Sequence, residues 1–256
     1  MSAQPGTRAV VVTRAESADG PLSRELRSLG LEVLSWPAVS VAAADSGALD
    51  EALARLDSFA WIVFASRHAV AAVLERQPKP PAQLHVAAVG RATALTLTQR
   101  GWPVHLAPEE ANAAALIAAL AARWQAGDAG ARVLYPASSR ALPTIAAGLR
   151  QLGADVTQVE AYRTEAAALD VSECRVWIER GGVGAVTFAS PSAVTELARA
   201  LGDEDLARLL DHAPPVAIGR TTARELAARG RNATLAETAT LHGLAVATLR
   251  LLQKRA

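Results

Sequence analysis

Thiols are almost absent from this chain. Cys174 is the only cysteine in 256 residues, which excludes an intrachain disulfide and any cysteine cluster that would hold zinc. Lysine is nearly as scarce. Lys79 and Lys254 are the only two, so the 26 Lys and Arg are almost all arginine. That bias reads first as composition, although a few planar guanidinium forks would suit carboxylate ligands. The formal net charge is only +1, which argues against a nucleic-acid partner held by electrostatics. No apolar run reaches the ~18 residues that a bilayer span needs. The opening MSAQPGTRAVVVTR lacks the long apolar core of a signal peptide. The expected setting is therefore the cytoplasm, with no membrane partner. Cofactor signatures are missing too. There is no G-x-x-x-x-G-K-[ST] loop, no G-x-G-x-x-G after the first strand, no H-E-x-x-H and no G-x-S-x-G. The five histidines (68, 85, 105, 212, 242) are scattered. His85 and His105 read as packed or surface residues on strand patterns, and His242 as a residue near a helix start that could face a cleft. The expectation is no metal and no cofactor.

What is present is a folded composition, 51% hydrophobic and 20% charged, and a duplication. Phe64-Ala-Ser-Arg-His-Ala-Val70 matches Phe188-Ala-Ser-Pro-Ser-Ala-Val194. Val89-Gly-Arg-Ala-Thr-Ala94 matches Ile218-Gly-Arg-Thr-Thr-Ala223, and Leu26-Arg-Ser-Leu-Gly30 matches Leu149-Arg-Gln-Leu-Gly153. The offsets are 124, 129 and 123 residues, so the repeated unit is domain-sized. Taken alone, the repeat places a boundary at Gln125-Ala-Gly-Asp-Ala-Gly130.

Short valine-rich runs alternate with helical patterns. Val10–Val12, Val33–Trp36, Trp61–Phe64, His85–Val89 and Val104–Leu106 read as strands in the first half. Arg132–Tyr135, Val156–Val159, Ala185–Phe188, Val216–Ile218 and Ala233–Leu235 follow in the second. Helices are expected over Pro21–Leu29, Ala92–Arg100, Ala141–Gln151 and Thr222–Arg229, with Gly30, Gly101, Gly153 and Gly230 as stops. This alternation predicts an α/β chain of two five-stranded parallel sheets with helices on both faces.

Open parallel sheets bind ligands at the carboxyl ends of their strands. Ser66 and Ser190 sit there as helix N-caps, with Pro191 at the first helical position. Gly90 to Thr93 and Gly219 to Thr222 place threonines at the same kind of boundary. Helix N-termini expose free N–H groups that bind carboxylate or phosphate without a charged side chain. Such caps also end loops with no ligand involved. Four similar loops in two diverged halves set a shared anion-binding cleft beside that reading, and the residues alone leave both open. An enzyme built this way works by positioning and electrostatics.

These segments, in their order and spacing, resemble the uroporphyrinogen-III synthase family. The resemblance rests on Val11-Val-Thr-Arg14, Trp61-Ile-Val-Phe-Ala-Ser66 with Ala69-Val70, and Val89-Gly90-x-x-Thr93. It continues through Tyr162-Arg-Thr164, Phe188-Ala-Ser-Pro-Ser-Ala-Val194, Ile218-Gly-Arg-Thr-Thr-Ala223 and Leu241-His-Gly-Leu244. It covers nearly the whole chain. Departures are Ala15, where the family often has proline, and Ala65 and Ala189, where it often has threonine.

The resemblance implies two similar flavodoxin-like lobes joined by a two-segment crossover. One lobe takes residues 1–36 and 165–256, the other 42–159, and 37–41 and 160–164 link them. It implies a cofactor-free, cyclising hydro-lyase, acting as a monomer. The enzyme takes water from hydroxymethylbilane, a small molecule with eight carboxylates, and closes it with inversion of ring D. Tyr162 is the expected proton donor. Thr13, Arg14, Ser66, Gly90, Thr93, Ser138, Arg140, Ser190, Ser192, Thr221 and Thr222 are the expected substrate-binding residues. The one protein partner left open is a transient contact with the upstream bilane-forming enzyme. A two-lobed small-molecule sensor and a nucleotide-sugar transferase are the competing readings. Against them stand the lack of a DNA-binding headpiece and of an acidic residue placed for a ribose.

Overall fold

The computed structural model describes residues 8–45, 47–124 and 128–255. In chain order the first elements are β1 (Ala9–Val12), α1 (Pro21–Ser28), β2 (Val33–Ser35), β3 (Val39–Ala43), α2 (Gly47–Ala54), β4 (Trp61–Phe64), α3 (Arg67–Leu74), β5 (His85–Ala88) and α4 (Arg91–Gln99). Then come α5 (Ala113–Ala121), β6 (Arg132–Ser138), α6 (Thr144–Gln151), β7 (Asp155–Ala166), α7 (Val171–Glu179) and β8 (Val183–Phe188). The chain ends with α8 (Pro191–Leu201), α9 (Asp203–His212), β9 (Pro215–Ala217), α10 (Arg220–Ala227), β10 (Thr234–Leu235) and α11 (Leu241–Gln253).

The chain divides into two compact units. One runs up to Ser40 and resumes at Glu165; the other is Val41–Thr164. Each holds a five-stranded sheet, in the orders β10-β9-β8-β1-β2 and β3-β7-β6-β4-β5. The ladders β1·β2, β1·β8, β8·β9, β4·β5, β4·β6 and β6·β7 are all parallel.

Parallel strands need cover on both faces, and the alternating side chains show it. In β1, Val11 joins Val186, Phe188, Leu197 and Leu209 on one face of the sheet. Val10 and Val12 join Ala185, Val216, Leu22, Leu26 and Leu244 on the other. In the second unit, Ile62, Phe64 and Val86 pack with Leu53, Val70 and Leu97. Trp61, Val63 and Tyr135 face Leu116, Leu120 and Leu149.

The repeat is exchanged between the units. The pieces β1–α1–β2 and β6–α6–β7 are counterparts, and each ends its helix on a glycine in the left-handed region, Gly30 (φ 80°) and Gly153 (φ 85°). Yet β6 pairs with β4, and β1 pairs with β8. Each unit therefore combines one piece from each half of the chain. No unit boundary falls at Gln125–Gly130, whose first three residues lie outside the described ones.

Three expectations need correction. Val104–Leu106 is not a strand, because only Leu106 bridges, to Ala87. β3 was not expected, since Val39-Ser-Val-Ala-Ala43 follows Pro37 and carries no long apolar run. α6 starts at Thr144 rather than Ala141, because Pro143 disfavours helical backbone in the residue before it.

The seam between β1 and β8 carries a reciprocal lock. The Thr13 hydroxyl donates to the Thr187 carbonyl at 2.8 Å, and the Thr187 hydroxyl donates to the Val11 carbonyl at 2.9 Å. Both threonines are buried. Thr13→Val keeps the shape but removes the donor from a buried carbonyl, a loss of about 1–3 kcal/mol. Urea unfolding will show this drop in stability, with Thr13→Ser losing less.

Candidate active site

Strand order reverses between β1 and β8 in the first unit, and between β6 and β4 in the second. These reversals are where open α/β sheets open a crevice beyond the strand ends.

In the second unit, Ser66 caps α3 and accepts from the Ala69 N–H at 3.1 Å. Gly90 caps α4 with no side chain. A Cβ there would stand 2.4 Å from the Ala111 Cβ, so this close approach needs glycine. After β6, the Ser138 and Thr164 hydroxyls are 2.9 Å apart, and the Arg140 N–H donates to Ser138 Oγ at 3.3 Å. The Thr164 N–H donates to Ser139 Oγ at 3.2 Å, which stitches the 138–140 loop to β7. Tyr162 lies opposite Ser138 in the ladder, just past a register shift. Its ring is half-buried beside the core, 5.4 Å from the ring of His68. Among the described residues its hydroxyl makes no hydrogen bond. The other tyrosine, Tyr135, is 3% exposed, and burial pushes its phenol up to about 12, helped by neighbouring Tyr162. Of the two tyrosines, Tyr162 is the more exposed.

In the first unit, Ser190 caps α8 and accepts from the Ala193 N–H at 3.3 Å, with Pro191 next and Ser192 half-buried beside it. Gly219 caps α10, and Thr221 is exposed in its first turn. Arg14 Nε stands 2.8 Å from the Glu16 carboxylate. That carboxylate also accepts from the Leu22 N–H at 3.2 Å and from the Ser23 N–H and hydroxyl, both at 2.8 Å. The N-terminus of α1 is thus filled by the chain's own anion.

The structure therefore gathers Ser66, Gly90, Ser138, Arg140 and Tyr162 at one sheet edge in one unit. Arg14, Ser190, Ser192 and Thr221 gather at the edge of the other. Thr13, Thr93 and Thr222 lie at the same strand-end edges but are buried. Thr13 has its proton committed to Thr187, and Thr93 and Thr222 lie in the third position of their helices, 5% and 2% exposed. The glycines, not the threonines, are the caps there. His242 pairs with Glu25 at 2.6 Å, which ties α11 to α1. His85 stacks on Trp61, and His105 accepts the Val86 N–H through Nδ1 at 3.0 Å. Burial, with His85 and Arg123 nearby, lowers the His105 pKa. Among the described residues no three His, Cys, Asp or Glu side chains converge as a metal site. Nor is any helix among them long and apolar enough to cross a membrane.

A family model described as "Uroporphyrinogen-III synthase HemD" matches residues 20–245. The chain belongs to the uroporphyrinogen-III synthase family. A relative named uroporphyrinogen-III synthase, from Synechococcus elongatus, is 27% identical over 194 residues, covering 73% of this chain and 72% of its own. The fold is shared with a solved mutant of the uroporphyrinogen-III synthase of Thermus thermophilus. That match has a TM-score of 0.67 and 19% identity, and covers 96% of this chain and 99% of the other. The enzyme of Helicobacter pylori matches with a TM-score of 0.62 and 17% identity, over 98% and 100% of the two chains. The synthase family consists of cyclising lyases of haem biosynthesis.

Two departures from the family pattern have a local reason here. Ala65 and Ala189 are partly buried against the hydrophobic core of their units, where a methyl group fits. Two residues escaped the sequence reading. Glu16 gave a faint signal, an acid shortly before the Gly20-Pro21 helix start. His68 gave a clearer one, since the 124-residue offset pairs it with Ser192, a residue that was singled out. Removing the Glu16 carboxylate takes three bonds from the α1 N-terminus. Glu16→Ala will lower stability by about 1–2 kcal/mol, as loss of an N-cap does, and Glu16→Gln by less. Thermal unfolding of the two variants measures the difference.

Proposed function

We propose that this chain is a uroporphyrinogen-III synthase acting as a monomer in the cytoplasm, converting hydroxymethylbilane to uroporphyrinogen III with inversion of ring D. The observation that carries the reading is the Tyr162 phenol, which makes no hydrogen bond among the described residues and lies opposite Ser138 at the end of β6, in a chain of this family. The helix N-termini at Ser66, Gly90, Ser190 and Gly219 offer N–H donors to the bilane carboxylates without desolvating many charged side chains. Arg140 and Ser138 add side-chain donors at one edge, and Arg14, Ser192 and Thr221 at the other.

The reacting hydroxyl is a poor leaving group until it is protonated or strongly hydrogen-bonded. Tyr162 donates to that oxygen. The C–O bond breaks, water departs, and the pyrrole nitrogen's electron pair leaves a cationic azafulvene. Held in place, this cation is attacked by the substituted α-carbon of ring D to give a spiro intermediate. The bond from that carbon to the methylene bridging rings C and D then breaks and re-forms at ring D's free α-carbon, which inverts ring D. The proton released when the closed ring regains aromaticity restores the phenol. A phenol suits the task, because its O–H can donate and its oxygen can then accept a proton back.

The assay supplies porphobilinogen and a bilane-forming enzyme, oxidises the products and separates isomers I and III. With EDTA present and no cofactor added, isomer III will dominate; isomer I alone would overturn the reading. Tyr162→Phe keeps the ring and removes the donor. Its turnover will fall by about 10²–10⁴-fold, the usual contribution of a positioned acid, while its melting temperature stays that of the parent. Parental turnover would remove Tyr162 from the chemistry.

A further inference from the structure

Tyr162 poses a mechanical problem. Its hydroxyl has no hydrogen bond among the described residues, so no polar anchor fixes the ring. It sits next to the register shift at Ala137/Ser138, where the β6–β7 ladder is irregular. One side of the ring is packed against the core of its unit. Its aromatic neighbour is His68, an exposed residue, with ring centres 5.4 Å apart and planes tilted by 45°. That separation and tilt lie in the range in which aromatic pairs hold each other.

His68 is itself well placed to act as a stop. It occupies the second position of α3, whose start is fixed by the Ser66 cap. Its neighbours Ala69 and Val70 are 0% and 1% exposed, so the backbone beneath the imidazole is anchored in the core. The counterpart in the repeat is Ser192, too small to cover a ring. The other unit has no tyrosine in its described residues for such a side chain to hold, since Tyr135 and Tyr162 are both in Val41–Thr164. The large side chain in place of serine thus occurs in the unit that has the phenol to hold.

We propose that His68 is a positioning residue, whose ring holds the Tyr162 phenol in the orientation from which it donates. The inference rests on Tyr162 as the proton donor. It assigns His68 no contact with the reacting atoms, so the imidazole acts through its ring.

Two substitutions separate this role from others. His68→Ala removes the ring, and His68→Phe keeps a ring and removes the nitrogens. His68→Ala will lower kcat about tenfold, the upper range of what one aromatic pair contributes, with KM changed less than twofold. His68→Phe will restore most of that loss. In a Tyr162→Phe background, His68→Ala will have no further effect, because the group it holds no longer donates. A second readout needs no substrate. Nitration of Tyr162 by tetranitromethane, located by mass spectrometry, will be several times faster in His68→Ala than in the parent or in His68→Phe. The proposal is overturned if His68→Phe is as slow in turnover as His68→Ala, if the loss falls on KM, or if nitration of Tyr162 is unchanged. If Tyr162→Phe alone leaves turnover intact, the donor assignment fails, and the nitration arm still decides whether His68 holds the ring.

Discussion

Parallel strands cannot be joined by a tight turn. Every strand that pairs in parallel must be followed by a crossover, usually a helix, that carries the chain back to the starting edge. Most of the arrangement of this protein follows from that constraint. It places helices on both faces, which is why β1 is apolar along its whole length. It also sends several strand ends, with the helix N-termini that follow them, to the same edge of each sheet. Unpaired N–H groups of α3 and α4 gather at one edge, and those of α8 and α10 at the other. A reaction whose substrate is rich in carboxylates and needs no redox step suits such edges.

The exception at α1 is instructive. Its N-terminus belongs to the same set by topology, yet Glu16 already fills it and binds Arg14 as well. A helix start near a strand end is therefore not a ligand site by position alone. What distinguishes Ser66 and Ser190 is that each cap satisfies one N–H group of its helix and leaves its neighbours to other partners. The Glu16 carboxylate takes two N–H groups and a hydroxyl at once.

Most of the fold was legible in the sequence, and its failures have physical causes. Buried parallel strands are uniformly apolar, so β1, β4 and β8 stood out. β3 and the far end of β7 did not, because Val39-Ser-Val-Ala-Ala43 and Glu160 to Ala166 mix polar and apolar residues like ordinary loops. Val104–Leu106 looked like a strand and is not one, since apolarity reports burial rather than pairing. At the candidate site, the serine caps were readable because capping is a local matter. Thr93 and Thr222 stand three positions after the glycine caps, as buried third residues of their helices, and burial at that position is not visible in a short motif. The repeat marked the position of His68 through its counterpart Ser192, but not its role. Its meaning comes from Tyr162, on another strand, and no local pattern links the two.

The exchanged first units also affect synthesis. β1 and β8 pair across 174 residues, from Thr13 to Thr187. The second unit is one continuous stretch, so it can complete its sheet while the ribosome is still making the rest. The Ala9–Val12 strand has to wait. At translation rates of 5–20 residues per second, the delay is about 10–35 s. During that interval an apolar strand, with β2 as its one partner, is available to wrong neighbours. The first strand of this enzyme thus spends most of the chain's synthesis without the neighbour that places it inside its sheet.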